Sequence, residues 1–300
     1  MKSNRMFPYL AITIGVIAVS SAAIFVKMAG DVPAAIIANY RLLFAAILML
    51  PFVYIKKAEL RSLDKRDWGM TILAGISIAI HFIIWFESLN YTSVASSVVL
   101  VTLQPVFAFI GTSIFFKEKF APGTIISMFI AIFGSIIIAW GDFQIAGEAL
   151  YGDILALVAA VFITIYFLLG QSVRKKVSMV TYTCVSYLSG SIVLIIYNMI
   201  AGNSYINYSS DEWLIFLSIA VIPTLLGLNL LNWALKWVST SIISMGIVFE
   251  PVGAAMLAYF ILGEKVSWVQ WLGGMIVVFG LLLFIASTRR KRRMKVTITP

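Results

Sequence analysis

An acidic side chain, Glu250, lies inside a long apolar stretch of this 300-residue chain. It falls about ten residues into a run long enough to form a membrane helix, which places it roughly 15 Å from the helix end. A charged group at that depth costs on the order of 2.5–3.5 kcal/mol, so we expect the carboxyl to be protonated, paired or in contact with water. It could bind an amine, carry a proton, or hydrogen-bond the helix backbone that Pro251 disrupts.

A second set of groups able to do chemistry lies on the third apolar segment. His81 and Trp85 are four residues apart, so they share one face of a helix. His81 is the only histidine of the chain, and a histidine can relay protons near neutral pH. The alternative is a neutral histidine that is hydrogen-bonded to a neighbouring helix. Trp85 could wall a cavity or simply pack.

A polar stripe marks the eighth apolar segment. Asn229, Asn232, Trp233 and Lys236 have the spacings that place side chains on one helix face. Paired asparagines can bind a solute or hold helices together. We favour the first interpretation, because this segment corresponds to the one that carries the histidine in the internal repeat described below.

Two further polar residues, Tyr40 and Arg41, lie near the start of the second apolar segment. Arg41 could extend its charged end to the membrane surface. It could instead offer a cation to a carboxylate group. The sequence leaves both interpretations open.

The elements that must position these groups are membrane helices. The chain is 61% hydrophobic and 12% charged, whereas a soluble domain is about half apolar and a quarter charged. Ten stretches approach or exceed the roughly 20 apolar residues that a membrane helix needs. They are 8–28, 34–55, 69–89, 93–116, 123–141, 151–170, 178–200, 213–236, 239–262 and 268–287. The sequence therefore predicts an all-α integral membrane protein with ten transmembrane helices.

The distribution of Lys and Arg predicts how these helices are oriented. With the N-terminus in the cytoplasm, nineteen basic residues fall inside, only Lys27 and Lys265 fall outside, and Arg41 lies within a span. Cytoplasmic connections of membrane proteins carry such an excess. We therefore predict a multi-pass protein of the cell (inner) membrane with both termini in the cytoplasm.

The net charge of +9 could suggest a nucleic-acid partner. The basic residues, however, lie between the apolar runs and in the tail, where orienting charges belong. We expect no nucleic-acid partner, although the tail could contact anionic membrane lipid. One cysteine, Cys184, permits no disulfide within the chain, and no metal, nucleotide or other cofactor motif is present.

One stretch of the sequence occurs twice, 146 residues apart, as from Pro105 to Pro251. We expect two five-helix repeats over 1–141 and 147–288, followed by a basic cytoplasmic tail over 289–300. Because five is an odd number, the second repeat enters the membrane inverted. The two prolines fall mid-helix, where they could form hinges beside a cavity or static kinks. The repeated motif is Gln104-Pro105 then Glu118-Lys119, and Glu250-Pro251 then Glu264-Lys265.

These two copies resemble the EamA-type repeat of the drug/metabolite transporter superfamily. The first copy matches at residues 89–95, Pro105, Lys117-Glu118-Lys119 and Gly134, and the second at 234–237, Glu250-Pro251, Gly263-Glu264-Lys265 and Gly280. The resemblance implies a bacterial inner-membrane carrier, often an exporter of amino acids or other small metabolites, without implying a substrate. Related proteins commonly carry Glu-Pro here whatever their substrate, which favours the backbone-bracing interpretation of Glu250.

The leading hypothesis is a secondary transporter that exports a small amphipathic metabolite by alternating access, with proton coupling as one option, and that is not an enzyme. Inverted repeats place the substrate site near the membrane midplane, where the halves meet. We expect a cavity lined by the third, fourth, eighth and ninth helices, with the first or second contributing. The alternatives are a membrane enzyme or accessory protein acting on lipid, and a passive channel. The expected pathway residues are Tyr40, Arg41, His81, Trp85, Gln104, Asn229, Asn232, Trp233 and Glu250.

Overall fold

The computed structural model describes residues 6–92, 94–140, 147–263 and 267–297, which fold into helices joined by short connections. Within these ranges, nine helices are long and apolar enough to cross a membrane, and a shorter apolar helix, Pro122–Ile138, is the tenth. This confirms the predicted all-α membrane class. The helices are α1 (Phe7–Val19 and Ala22–Met28), α2 (Ala34–Ile55), α3 (Lys65–Ser88), α4 (Val94–Val101 and Gln104–Phe116), α5 (Pro122–Ala139), α6 (Glu148–Val173), α7 (Met179–Ala201), α8 (Ser210–Ile219, Ala220–Leu228 and Asn229–Ala234), α9 (Thr240–Ile247, Glu250–Leu257 and Ala258–Leu262) and α10 (Trp268–Thr297).

Helices α4 and α9 are interrupted at equivalent places. Each breaks for two residues, and each resumes at the residue before the repeated proline, Gln104 in α4 and Glu250 in α9. Pro105 and Pro251 therefore take the second position of a new helical segment, where a missing backbone N–H removes no helical hydrogen bond. The breaks leave Gln104 and Glu250 at the starts of half-helices inside the bundle.

The crossing of α5 and α10 shows how the two repeats are related. A side-chain carbon at Gly134 would lie 2.6 Å from the nitrogen of Val277, and one at Gly280 would lie 2.6 Å from the nitrogen of Ala131. Adding the repeat spacing of 146 to Gly134 gives Gly280, and subtracting it from Val277 gives Ala131, so the two contacts are equivalent. As the residue number rises along α5, the contacted residue number falls along α10, so the helices run antiparallel. A two-fold axis perpendicular to both helices produces such reciprocal contacts, as expected of inverted repeats.

The repeats interlock rather than packing as separate bodies. Helix α6 packs on α3, α7 packs on α2 and α3, and α1 packs on α8. Both halves of the chain therefore contribute to one buried core. The polar groups of the spans lie in that shared interior, because they cannot face lipid.

The connections α2–α3, α4–α5, α6–α7 and α8–α9 together carry nine Lys or Arg residues, and we call the face that they form the basic face. Hydrogen bonds between them hold this face together, for example from Ser178 to Glu59 and from Ser239 to Glu118. Helix α10 continues through most of the predicted tail to Thr297. Of the repeated motif, Glu264 and Lys265 lie outside the described residues.

Candidate functional site

A buried cavity of about 40 Å³ lies inside the bundle. Seven of the ten helices contribute to its walls: the four that we predicted, both α1 and α2, and in addition α6. The volume is enough for about two or three water molecules, so the cavity must widen to admit a larger solute. Five of the nine predicted pathway residues line it, namely Arg41, His81, Trp85, Gln104 and Glu250.

Arg41 is held in place from two sides. Its Nε donates to Thr224 Oγ1 at 2.8 Å, and its guanidinium carbon lies 3.9 Å from the centre of the Phe82 ring. The side chain is 1% exposed, and its Nη1 has no hydrogen-bond partner within the described ranges. The guanidinium therefore does not reach the membrane surface. It presents a fixed cation with one unused donor at the cavity wall.

Thr224 owes its position to an irregular stretch of α8. The segment Ala220–Leu228 is π-helical and contains Pro223. Wider helical turns of this kind are frequent at functional sites. The Thr224 hydroxyl donates to the carbonyl of Ile219, five residues earlier, at 2.8 Å. Its lone pairs then remain available to accept from Arg41.

Two neutral donors share the same wall. The indole Nε1 of Trp85 and the amide Nε2 of Gln104 are buried and have no hydrogen-bond partner in the part of the chain that the structure describes. A buried donor without a partner costs about 1–3 kcal/mol. With Arg41 Nη1, three unused donor nitrogens therefore belong to residues around one small cavity, where they can bind an acceptor group.

Glu250 brings the acidic group of the cavity. It is 7% exposed and begins the second segment of α9, where the positive end of the helix dipole favours a carboxylate. Among the described residues, no ion pair or side-chain hydrogen bond involves Glu250. The backbone hydrogen bond that the bracing interpretation requires is thus not seen within those ranges.

His81 shows the contact that the structural interpretation predicted. Its Nδ1 lies 2.9 Å from the carbonyl oxygen of Ala159 in α6. A carbonyl only accepts, so Nδ1 carries the proton and Nε2 is an acceptor in the neutral ring. The ring also stacks on Trp85, with centres 5.7 Å apart. His81 therefore both joins two helices and lines the cavity.

Tyr40 lies elsewhere, although it precedes Arg41 directly. Its hydroxyl donates to the carbonyl of Tyr205 at 2.6 Å, and its ring stacks on Phe216 with centres 4.8 Å apart. Trp213 packs on its edge. Tyr40 thus ties the α7–α8 connection to α2, at the end of the molecule opposite the basic face.

The predicted polar stripe on α8 is divided among several contacts. Tyr187 donates to Asn229 Oδ1 at 2.8 Å, and Asn232 Nδ2 donates to the hydroxyl of Tyr166 at 2.7 Å. These are the helix-joining bonds of our alternative interpretation. Trp233 packs on Trp237, with ring centres 4.1 Å apart. None of the four stripe residues is among those that line the cavity.

Several residues of this site escaped the sequence analysis. Phe82 and Thr224 hold Arg41 in place. Tyr187 is hydrogen-bonded to Asn229, and Tyr166 is hydrogen-bonded to Asn232. An apolar ring and a lone threonine carry no signal in so hydrophobic a chain. Pro223 within an apolar span did mark an irregular helix there. Among the described residues, no group of three or more His, Cys, Asp or Glu side chains could hold a metal ion.

Comparison with known proteins decides the family. The model of the EamA-like transporter family matches the chain twice, over residues 6–140 and 150–286. The chain belongs to the EamA-like transporter family. The two matches cover nearly the whole chain and correspond to the two halves of the repeat.

Relatives of this EamA-like chain are named as transporters. The uncharacterized transporter YdfC of Bacillus subtilis is 23% identical over 265 residues, which cover 87% of this chain and 85% of the relative. An uncharacterized transporter of Archaeoglobus fulgidus is 23% identical, with 91% and 94% of the two chains covered. A solved crystal structure shares the fold, with a TM-score of 0.78 at 16% identity over 94% of this chain and 98% of the other. The chain is thus a multi-pass membrane transporter.

Proposed function

We propose that this EamA-like protein is a secondary exporter that moves a small amphipathic metabolite, such as an amino acid or a related solute, out of the cell by alternating access. The observation that carries this proposal is the buried cavity in which Arg41 and Glu250 meet without pairing. Opposite charges that share a buried cavity ordinarily pair, since each is costly to leave alone. A solute bearing a carboxylate and an amine would satisfy both.

The remaining lining residues suit such a solute. Trp85 and Gln104 offer donors that a carboxylate or hydroxyl oxygen accepts. The other walls are apolar, from residues such as Phe82, Phe167 and Leu231. Pockets that bind small molecules combine apolar walls with a few placed polar groups. A solute with a charged head and an apolar side chain matches that division.

The interrupted helices support alternating access. Transporters with inverted repeats commonly bind their substrate beside broken helices, at the interface of the repeats. Here α4 contributes Gln104 and α9 contributes Glu250, each at a helix break, to one cavity. The halves can rock about these breaks and expose the cavity to each side of the membrane in turn.

Glu250 is the residue that we expect to couple transport to protons. A carboxyl that has neither an ion-pair nor a hydrogen-bond partner within the described ranges can change its protonation as the cavity opens to each side. The charge pattern assigns the basic face to the cytoplasm, so export means that the solute is released at the opposite face.

The experiment compares metabolites in the medium and the cytoplasm of cells that overproduce the protein. We expect overproduction of the unaltered chain to move one or a few amphipathic solutes into the medium, and Arg41→Gln to prevent it. Glu148→Gln, which neutralises an exposed acid at the start of α6, should export as the unaltered chain does. Identical metabolite profiles for the unaltered chain and Arg41→Gln would contradict the proposal.

A further inference from the structure

A carboxylate of the repeated motif joins the two helices that carry the central polar groups. Glu118, just after α4, accepts hydrogen bonds from Ser239 at 3.1 Å and from Ser241 at 3.4 Å, both at the start of α9. One turn before the end of α4, the Thr112 hydroxyl lies 2.6 Å from that of Ser241. We call Thr112, Glu118, Ser239 and Ser241 the α4–α9 clasp.

The backbone is bent to deliver Glu118 to this place. Helix α4 ends at Phe116, and the next residue, Lys117, has a left-handed φ of 53°. This conformation costs a non-glycine residue about 1–2 kcal/mol. Gly263 at the equivalent position of the second repeat is also left-handed, with φ at 70°. The same turn thus precedes Glu-Lys in both copies. Strain of this kind persists only where the surroundings enforce it.

The start of α9 is arranged around the same carboxylate. Ser239 occupies the position that normally caps a helix, yet it makes no capping bond and donates to Glu118 instead. The Thr240 N–H is satisfied by Gln171 of α6 at 2.6 Å. The serine hydroxyls are therefore committed to α4 rather than to their own helix.

We propose that the α4–α9 clasp is the cytoplasmic gate of the transport pathway, and this inference rests on the proposed function. Gln104 and Glu250 lie further along the same two helices, at the cavity. A path from the cavity to the basic face requires that the end of α4 and the start of α9 separate. Separation breaks the bonds of Glu118 to both serines and the contact between Thr112 and Ser241.

A second cross-connection on the basic face provides a matched comparison. Glu59 accepts hydrogen bonds from the backbone N–H of Ser178 at 2.8 Å and from the hydroxyl of Thr181 at 2.7 Å. This connection ties the α2–α3 region to α7 and involves neither α4 nor α9. Replacing Glu59 therefore removes a similarly hydrogen-bonded carboxylate from the same face and leaves the α4–α9 clasp intact.

The test uses a thiol reporter in the cavity, so it needs no transport substrate. Val101→Cys replaces a cavity-lining valine of α4, and a membrane-impermeant methanethiosulfonate reagent is applied to inverted vesicles that expose the cytoplasmic side. Adding Glu118→Ala should raise the rate of modification by about ten-fold, equivalent to a shift of about 1.4 kcal/mol towards the open gate. Adding Glu59→Ala should leave the rate unchanged.

Native Cys184 reports on folding in the same sample, because it is only 1% exposed. Faster modification at position 101 with Cys184 still protected supports the gate. Equal acceleration at both thiols would mean that Glu118→Ala unfolds the protein. In that case the double variant Ser239→Ala, Ser241→Ala, which removes the same hydrogen bonds from the α9 side, replaces Glu118→Ala in the test of the gate. An unchanged rate in a folded variant overturns the gate. That result leaves the export proposal untouched, since export is measured separately on metabolites.

Discussion

Arg41 of the first repeat and Glu250 of the second line one buried cavity, and no ion pair joins them within the described ranges. Their separation is maintained, since Arg41 is bound to Thr224 and lies on the ring of Phe82. A direct pair would leave neither charge free for a solute. Under the proposed function, the two unpaired charges are available to a solute that bears a carboxylate and an amine.

Replacement of Glu250 by glutamine separates proton coupling from a bracing role. We expect Glu250→Gln to abolish transport driven by a pH gradient while exchange of substrate across the membrane continues, because the amide cannot carry a proton. Both rates can be measured in proteoliposomes once a solute is identified. Full gradient-driven transport by Glu250→Gln would eliminate proton coupling and restore the bracing interpretation, since an amide can still hydrogen-bond the backbone.

The reciprocal crossing of α5 and α10 predicts equal costs at two distant positions. Gly134→Ala and Gly280→Ala each place a methyl group within 2.6 Å of backbone nitrogen on the other helix, and overpacking of this kind costs about 1–3 kcal/mol. Thermal unfolding in detergent should show that both substitutions lower the melting temperature by similar amounts. Gly69→Ala, where an added carbon meets nothing within 4 Å, should be neutral or stabilising. Tolerance of only one of the first two changes would contradict the reciprocal contact.

The stability of the folded protein at acidic pH depends on Glu59, which lies on the basic face. Burial alone would raise its pKa, but hydrogen bonds from Ser178 and Thr181 outweigh burial and lower the pKa below the ordinary value of 4.5. A lowered pKa stabilises the folded state above the unfolded value, and that contribution is lost as pH falls through the folded pKa. Glu59→Gln should therefore be less stable than the unaltered chain near pH 7, with the difference shrinking as the pH falls below 4.5 through the lowered pKa of Glu59.

Melting temperatures in detergent at a series of pH values measure this difference. Asp64 should contribute in the same direction, because the backbone N–H of Asp67 and the ammonium of Lys176 lower its pKa. The Glu59→Gln comparison isolates one carboxyl, since Asp64 is unchanged in both proteins. A constant difference from pH 7 down to about pH 3 would show that Glu59 is not the titrating group.

The orientation of the helices is tested by reporter fusions. Fusions after Lys65, Glu148 and Arg293 should read inside, outside and inside, because basic residues are retained in the cytoplasm. Reporters active on only one side of the membrane give the measurement. An outside signal after Arg293 would refute both the topology and the assignment of the basic face to the cytoplasm.

The amino-acid sequence by itself determined the ten helices, their inverted duplication and the family. Apolar length is a local property, since lipid offers backbone groups no other partners and any long apolar run must become a helix. The repeat of Pro105 at Pro251 is visible without knowing a single contact. For the same reason, the sequence could predict that the mid-span Glu250 does not face lipid, but it left open whether Arg41 reaches the membrane surface.

Only the tertiary structure decided which inward-facing groups meet. Tyr40 and Arg41 are neighbours in the chain, but successive side chains of a helix point about 100° apart, and one enters an aromatic cluster while the other enters the cavity. Asn229 and Asn232 are occupied by Tyr187 and Tyr166, which come from other helices. Such pairings depend on how helices cross, and crossings are set by packing between residues far apart in the chain, which no local pattern records.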